Sequence, residues 1–218
     1  MAIKAILLDL DGTILNTLED LTDSVNFALS SLGFPTHSIS KIRSIVGNGA
    51  RNLIKRALPE NCDDAVFEKC LAAFKAHYEK NKSNKTAPYD GIMPALAKLR
   101  AEGFRLAIVS NKHDDAVQGL HKHFFSEYVQ FAIGNVEFLP KKPNPDMVHY
   151  ALEKLGVNCD EAIYVGDSEV DILTAKNSGI PCISVTWGFR NEDVLTDAGA
   201  DTIVNTPEKL YRVIIENF

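Results

Sequence analysis

Short apolar runs alternate along most of this 218-residue chain with segments whose apolar residues recur at helical spacing. The runs cover residues 3–8, 105–109, 131–133, 162–165, 182–186 and 202–204. Runs of this length suit buried strands, and the helical segments between them suit the crossovers that parallel strands require. The alternation therefore predicts an α/β fold built on a doubly wound parallel sheet.

The stretch between the first two runs has a different pattern. Nothing from residue 15 to residue 87 reads convincingly as a strand. Apolar residues recur there at helical spacing, at Leu18, Leu21, Val25, Ala28, Leu29 and Leu32 and at Phe67, Cys70, Leu71, Phe74 and Tyr78. We therefore predict an inserted all-helical cap domain at residues 15–88 and a Rossmann-like core of residues 1–14 and 89–218. Pro88-Tyr89-Asp90-Gly91 suits the second hinge between them.

Two carboxylates end the first strand. Asp9 and Asp11 follow the apolar run, and alternate residues of an extended chain point the same way, so both lie on one face of its tip. Like charges so placed repel unless a cation or a shared proton offsets them, and such oxygen ligands suit Mg²⁺. Gly12 lets the chain turn sharply beside a ligand. The alternative is an acidic turn ahead of a helix cap, since Asp-Gly is a common turn dipeptide.

Two later segments place further polar groups beyond strands. Ser110 and Asn111 end the second strand and offer a hydroxyl and an amide ahead of a helix. Lys142 stands in Lys141-Lys142-Pro143-Asn144-Pro145, where the prolines stiffen the backbone and can fix a point charge. A plain turn and a solvated basic loop are the alternative interpretations of these two segments.

A fourth segment carries a second pair of carboxylates. Asp167 follows the run at 162–165, and Asp171 lies four residues later, across the start of a helix. Both can converge on one cation, or they can serve as a helix cap and a surface charge. Ligands of doubly wound sheets bind beyond the carboxyl ends of the strands, and all four segments lie at or just beyond such ends.

In this order, the four segments resemble the four motifs of the haloacid dehalogenase superfamily, specifically of its Mg²⁺-dependent phosphatases. The resemblance implies that Asp9 is the nucleophile, that Asp11 is the general acid and base, and that Lys142, which directly precedes the proline, is the catalytic lysine. The implied Mg²⁺ ligands are Asp9, Asp11, Asp167 and Asp171. The implied phosphate-binding residues are Thr13, Ser110 and Asn111. Asn16 departs from the pattern, because many relatives have Asp there, and the change bears on closure of the cap.

The chemistry of these groups agrees with that assignment. An aspartate is a weak nucleophile, but Mg²⁺ and Lys142 would neutralise the phosphate charge that otherwise repels it. Asp9 would then carry an acyl phosphate, while Asp11 gives a proton to the leaving alkoxide and later takes one from water. Dehalogenases of the same superfamily do not need the second aspartate, so Asp11 favours phosphate chemistry.

A loop in the predicted cap is a candidate for substrate recognition. Gly47, Asn48 and Arg51 open a helical segment at 50–58, and amide donors with an arginine suit an anionic substrate. The alternative is a simple turn. This loop and residues 185–189 resemble bacterial phosphoglycolate phosphatases, which implies a small carboxylated phosphate such as 2-phosphoglycolate as substrate. We expect Trp187 to pack rather than to bind substrate.

Composition limits the classes of partner. The net charge of −6 argues against nucleic acid or an anionic membrane as the main partner. The resemblance implies a small phosphorylated metabolite as the partner, and we expect a monomer or homodimer. The first apolar run is too short to span a membrane, so we predict a cytoplasmic protein. The cysteines show no paired spacing and are expected to be reduced, namely Cys62, Cys70, Cys159 and Cys182. No metal set forms around the histidines that follow the second run, His113, His121 and His123.

A phosphomonoester hydrolase is the leading hypothesis for function. The alternatives on the same scaffold are a sugar phosphomutase, similar to β-phosphoglucomutase, and a pyrophosphatase. A non-enzymatic receiver module also combines acidic residues, a phosphorylated aspartate, a hydroxyl and a lysine. Receivers have no cap domain, so the helical insert argues against that class.

Overall fold

A computed structural model describes residues 2–218 and divides them into two compact units. One unit combines the chain up to Leu15 with Pro88–Phe218, and the other is Asn16–Ala87. The boundaries predicted from the sequence each lie one residue from these limits. Two strands of two residues each, β2 (Leu15–Asn16) and β3 (Ala87–Pro88), pair with each other where the chain passes between the units. The sequence analysis predicted no strand there, because two residues are too few to show a period.

The first unit contains a six-stranded parallel sheet in the order β5-β4-β1-β6-β7-β8. Its strands are β1 (Ala5–Leu8), β4 (Arg105–His113), β5 (Phe131–Asn135), β6 (Ala162–Gly166), β7 (Cys182–Val185) and β8 (Thr202–Val204). All six predicted strands are present, and the predicted α/β fold class is confirmed. The largest difference is at β4, which continues past the apolar run to His113 with a shift of register against β5.

Helices cover both faces of this sheet. They are α5 (Ile92–Ala101), α6 (Asp114–Leu120), α7 (Asp146–Leu155), α8 (Glu169–Ser178), α9 (Glu192–Asp197) and α10 (Pro207–Asn217). Alternate residues of β1 enter separate hydrophobic clusters: Ile6 and Leu8 pack in one, Ala5 and Leu7 in the other. A strand buried on both faces reads as a continuous apolar run, which is why β1 was recognisable in the sequence.

The second unit is built from four helices, α1 (Leu18–Ser31), α2 (Ile39–Ile45), α3 (Gly49–Ala57) and α4 (Asp64–Asn81). The apolar faces of α1 and α4 are buried, as their helical periodicity predicts. The helix expected at 50–58 begins and ends one residue earlier, at α3. Every helix among residues 2–218 is too short or too polar to cross a membrane.

Candidate active site

The predicted site residues of the first unit lie at one edge of the sheet. Asp9 directly follows β1, Asp167 directly follows β6, and Ser110 lies in the last part of β4. Lys142 lies between β5 and α7. Because β4, β1 and β6 are neighbours and parallel, residues far apart in the sequence meet beyond their carboxyl ends.

Three buried carboxylates form one group at this edge. One oxygen from each of Asp9, Asp167 and Asp171 lies within 4.8 Å of the others. Within residues 2–218, this is the group of His, Cys, Asp or Glu side chains that is close enough to hold a metal ion. Asp11, the fourth predicted ligand, is not a member of this group, and its carboxylate pairs with Lys112.

The ammonium group of Lys142 joins this cluster. Its Nζ donates to Asp9 Oδ1 at 2.9 Å, to Asp171 Oδ1 at 2.7 Å and to the hydroxyl of Tyr164 at 2.8 Å. The side chain is 2% exposed. A lysine buried this far requires paired partners, and these three contacts use all three of its N–H donors.

One carboxylate oxygen of Asp9 is held by a hydrogen bond, and the other is not. Oδ1 accepts from Lys142, whereas Oδ2 accepts no hydrogen bond from any residue in the described part of the chain. Burial raises the pKa of Asp9 from 3.8 to about 7; Lys142 opposes the rise, and the negative charges of Asp171 and Asp11 add to it. Burial likewise raises the pKa of Asp167 well above its ordinary value, and Asp171 and Asp9 raise it further.

The charges of the cluster do not balance without a cation. Burial favours the neutral form of Lys142, but Asp171, Asp9 and Tyr164 hold its pKa well above the usual value, so it stays charged. If all three carboxylates are ionised, one ammonium leaves two negative charges in a buried space, and the raised pKa values of Asp9 and Asp167 reflect burial together with this repulsion. A divalent cation that prefers oxygen ligands, as Mg²⁺ does, fits both the charge and the donor set.

Asp167 is held at both oxygens. The Thr13 hydroxyl donates to Oδ1 at 3.3 Å, and the backbone N–H of Phe189 donates to Oδ2 at 2.7 Å. The backbone approaches this carboxylate so closely that a Cβ on Gly12 or Gly188 would overlap it. Each oxygen keeps a second lone pair, so these contacts orient Asp167 and still allow it to bind a cation.

Asp171 belongs to the first turn of α8. Its Oδ2 accepts from the backbone N–H of Ser168 at 3.2 Å and from the Ser168 hydroxyl at 2.6 Å, in a capping box. Its Oδ1 accepts from Lys142. The two interpretations of Asp171 therefore combine, since it helps to cap the helix and is also a buried member of the cluster.

The end of β4 supplies three polar side chains with different partners. Ser110 Oγ accepts from the backbone N–H of Lys112 at 3.3 Å. Asn111 Nδ2 donates to the backbone oxygen of Lys142 at 3.0 Å, while its buried Oδ1 has no partner among residues 2–218. Lys112 Nζ donates to both oxygens of Asp11 at 2.8 Å. Asn111 therefore supports the lysine loop, and Lys112 fixes the second aspartate.

The predicted cap residues are arranged differently. Gly47 and Gly49 have positive φ angles of 124° and 79°, and Asn48 precedes the first residue of α3 without a side-chain cap hydrogen bond. Arg51 pairs with Glu68 at 2.7 Å and lies over the ring of Phe67 at 4.8 Å. Arg51 and Glu68 are 63% and 56% exposed, so the surrounding solvent screens this pair.

Other side chains fill structural roles. The four cysteines are free. A ring nitrogen of His121 lies 2.9 Å from the backbone oxygen of Val129, and no metal-binding set includes a histidine in the described residues. Trp187 packs against the hydrophobic core, and its indole N–H donates to the backbone oxygen of Thr13 at 2.9 Å.

Sequence reasoning missed Lys112, Tyr164 and the backbone N–H of Phe189. Tyr164 donates to the backbone oxygen of Val109 at 3.0 Å and accepts from Lys142. Its hydroxyl in an otherwise apolar strand was a detectable signal, because a buried phenol needs a partner. The Phe189 contact comes from the backbone, which leaves no trace in residue type.

Comparison with known proteins identifies relatives of this chain. The family model for haloacid dehalogenase-like hydrolases matches residues 6–185. A phosphoglycolate phosphatase of Colwellia psychrerythraea is 32% identical over 214 residues, which are 95% of this chain and 95% of that protein. Another, from Vibrio parahaemolyticus, is 32% identical over 97% of this chain and 96% of its own.

A solved structure extends the similarity to the whole fold. The crystal structure of a provisionally named phosphoglycolate phosphatase from Lactobacillus delbrueckii subsp. bulgaricus has a TM-score of 0.95 and 36% identity, covering 98% of this chain and 99% of that one. These relatives confirm that the chain is a phosphatase, as its four motifs predict. The chain belongs to the haloacid dehalogenase-like hydrolase family.

Proposed function

We propose that this protein is a Mg²⁺-dependent phosphomonoester hydrolase that works through a phosphorylated Asp9 and acts on 2-phosphoglycolate or a similar small phosphorylated acid. The observation that carries the proposal is the buried Asp9 carboxylate, which pairs with Lys142 through one oxygen and keeps the other available. The curated relatives that share about a third of its residues are named for that substrate.

Asp9, Asp167 and Asp171 are the residues that would hold Mg²⁺ in this cluster. When bound, Mg²⁺ would supply positive charge that offsets the charge of the phosphoryl group and of the carboxylates. Thr13 and Asn111 act indirectly in this proposal, because each donates to protein groups, Thr13 to Asp167 and Asn111 to the Lys142 backbone.

The chain's own groups account for both chemical steps. Oδ2 of Asp9 forms a bond to phosphorus while the bond from phosphorus to the ester oxygen breaks, and Asp11 gives that oxygen its proton. Lys142 keeps Asp9 in place and faces the charge that builds up on the phosphoryl oxygens. The Ser110 hydroxyl, whose proton has no acceptor in residues 2–218, is available to donate to one of these oxygens.

The second step releases phosphate. Asp11 takes a proton from a water molecule, whose oxygen bonds to phosphorus while the bond from phosphorus to Asp9 breaks. Inorganic phosphate leaves, and both aspartates return to their starting state. The two carboxylates need separate environments for these roles. The contacts of Lys142 with Asp9 and of Lys112 with Asp11 support this part of the proposal.

Substrate choice is assigned to the loop that begins α3. Gly47 and Asn48 offer backbone donors, and Arg51 offers a guanidinium that can exchange its exposed partner Glu68 for a substrate carboxylate. We keep the cytoplasmic location and the monomeric or dimeric state as predictions.

The test is a panel of phosphate esters assayed for phosphate release with Mg²⁺ and with a chelator. We expect the highest kcat/KM on 2-phosphoglycolate, background rates with the chelator, and recovery on addition of Mg²⁺. Conversion of β-glucose 1-phosphate into its 6-phosphate isomer without phosphate release would favour the phosphomutase alternative. Preference for pyrophosphate would favour the pyrophosphatase.

A further inference from the structure

Lys112 and Asp11 form a partly buried ion pair that the motif resemblance does not describe. Lys112 Nζ lies 2.8 Å from each oxygen of the Asp11 carboxylate. The two side chains are 7% and 18% exposed, and the residues are 101 positions apart. Such a pair differs from surface salt bridges, because little solvent is left to screen it or to replace either partner.

We propose that Lys112 is a positioning residue, which holds the Asp11 carboxylate where it can exchange protons with the leaving group and with water. The proposal rests on the function proposed above, in which Asp11 is the acid and base. Contact with both oxygens fixes the orientation of the carboxylate as well as its position. A carboxylate with no such partner would turn about its side-chain bonds and spend less time in a productive geometry.

The local structure explains why this lysine reaches Asp11. Asp11 follows β1 and Lys112 lies near the end of β4, and these strands are parallel neighbours with Leu8 paired to Ile108. Ser110 and Lys112 are two residues apart in β4, with the Lys112 N–H bonded to Ser110 Oγ. Strand β4 thereby presents a hydroxyl and an ammonium from one short segment.

Two lysines of this unit pair with different aspartates. Lys142 pairs with Asp9 and Asp171 inside the carboxylate cluster. Lys112 pairs with Asp11, which is outside that cluster. The second lysine therefore gives Asp11 a partner of its own, separate from the carboxylate cluster.

A double-mutant cycle tests whether Lys112 acts through Asp11. The variants are Lys112→Gln, Asp11→Asn and their combination, with Lys122→Gln as a control that removes an exposed lysine of the same unit. The readout is Mg²⁺-dependent kcat on p-nitrophenyl phosphate. Its leaving group needs little protonation, so kcat reports the breakdown of phosphorylated Asp9, the step that needs Asp11 as the base.

We expect Lys112→Gln to lower kcat by about 10- to 100-fold in the wild-type background. In the Asp11→Asn background the same change should lower it by less than about twofold, because the group that Lys112 positions is no longer an acid or base. Lys112→Arg keeps the charge and two donors, and it should recover part of the activity.

An equal loss in both backgrounds would overturn the proposal, since Lys112 would then act on the substrate or on the whole fold. If Lys112→Gln does not fold, by near-UV circular dichroism, Lys112→Met, which removes the ammonium and keeps a side chain of similar length, takes its place in the cycle with the same criterion. Absence of Mg²⁺-dependent phosphate release by the wild-type protein would instead refute the proposed function, so the two failures are distinguishable.

Discussion

The two units of this protein present their candidate functional residues in opposite ways. In the first unit, Asp9, Lys142, Asp167 and Asp171 are buried and joined by hydrogen bonds at 2.7–2.9 Å or by close approach of their oxygens. In the second, Arg51 is exposed and pairs with an exposed glutamate. Buried charges must be fixed by several partners, whereas an exposed charge can exchange partners at low cost. The first unit is therefore suited to chemistry that needs fixed groups, and the second is suited to recognition by a charge that can change partner.

The largest effect should come from Asp9→Asn, which tests the fixed part. The amide cannot attack phosphorus, so we expect kcat to fall by at least about a thousandfold with the fold intact. Phosphate release and circular dichroism measure the two outcomes. Asp115→Asn, which removes an exposed carboxylate from α6, is the control and should match the wild type. Substantial Mg²⁺-dependent turnover by folded Asp9→Asn would remove Asp9 from the nucleophile role.

A smaller effect is expected from Gly188→Ala. The added Cβ would overlap the Gly12 backbone oxygen and the Asp167 carboxylate. Displacing a contact that orients a metal ligand typically costs about 10- to 100-fold in affinity, so the Mg²⁺ midpoint should rise by that factor. Fluorescence of Trp187, the only tryptophan in the sequence, offers a readout independent of turnover.

Gly179→Ala is the matched control for that experiment. Gly179 has a positive φ of 70° and no heavy atom within 4 Å of an added Cβ, so the substitution should cost stability without changing Mg²⁺ affinity. A folded Gly188→Ala variant with the wild-type midpoint would show that the close approach to Asp167 does not matter for the ion.

Arg51→Ala tests the adjustable part. If Arg51 binds the substrate carboxylate, kcat/KM should fall for 2-phosphoglycolate by about 10- to 100-fold more than for p-nitrophenyl phosphate, as expected for loss of a charge-assisted hydrogen bond of about 1.5–3 kcal/mol. Lys55→Ala removes an exposed positive charge from the same helix and should leave the ratio unchanged. Equal losses on both substrates would assign Arg51 a structural role. No loss on either substrate would favour the alternative interpretation, in which the loop is a simple turn.

The smallest effect concerns stability without Mg²⁺. Because the pKa of Asp9 is about 7 in the folded protein against 3.8 ordinarily, the folded state holds a proton that the unfolded chain has released between about pH 4 and pH 7. This stabilising contribution is complete below about pH 4 and is lost as the pH rises through about 7.

Asp9→Asn removes that pH dependence. Its Tm without Mg²⁺ should exceed the wild-type Tm by a few degrees at pH 7.5, about the shift that 1 kcal/mol gives, and the difference should shrink at pH 5. Thermal unfolding at both pH values measures it, and Asp115→Asn again serves as control. A wild-type protein as stable as Asp9→Asn at pH 7.5 would contradict the charge imbalance of the cluster.

The sequence could predict the buried part of the first unit, namely the strands of the sheet and the polar residues that follow them. The strands of the sheet are buried on both faces, so their apolar runs marked them, and polar residues directly after those runs marked Asp9, Ser110 and Asp167. Parallel strands then bring these ends to one edge without further information.

Other features depend on contacts that residue types do not encode. The pairing of Lys112 with Asp11 depends on the register between β1 and β4, and the Phe189 contact depends on the backbone path after β7. Strands β2 and β3 are too short to show a period. The pairing of Arg51 with Glu68 joins two helices whose packing the sequence pattern leaves open.

The most direct test is to locate the phosphoryl group on the protein. Asp11→Asn should slow breakdown of the acyl phosphate, so mixing it with p-nitrophenyl phosphate and Mg²⁺, then quenching in acid, should trap the intermediate. Borohydride reduction converts a phosphorylated aspartate into homoserine, which peptide mass spectrometry locates. We predict homoserine at position 9 alone, and none when Asp9→Asn is added. Homoserine at another position, or none during measurable turnover, would contradict the assignment of Asp9 as the nucleophile.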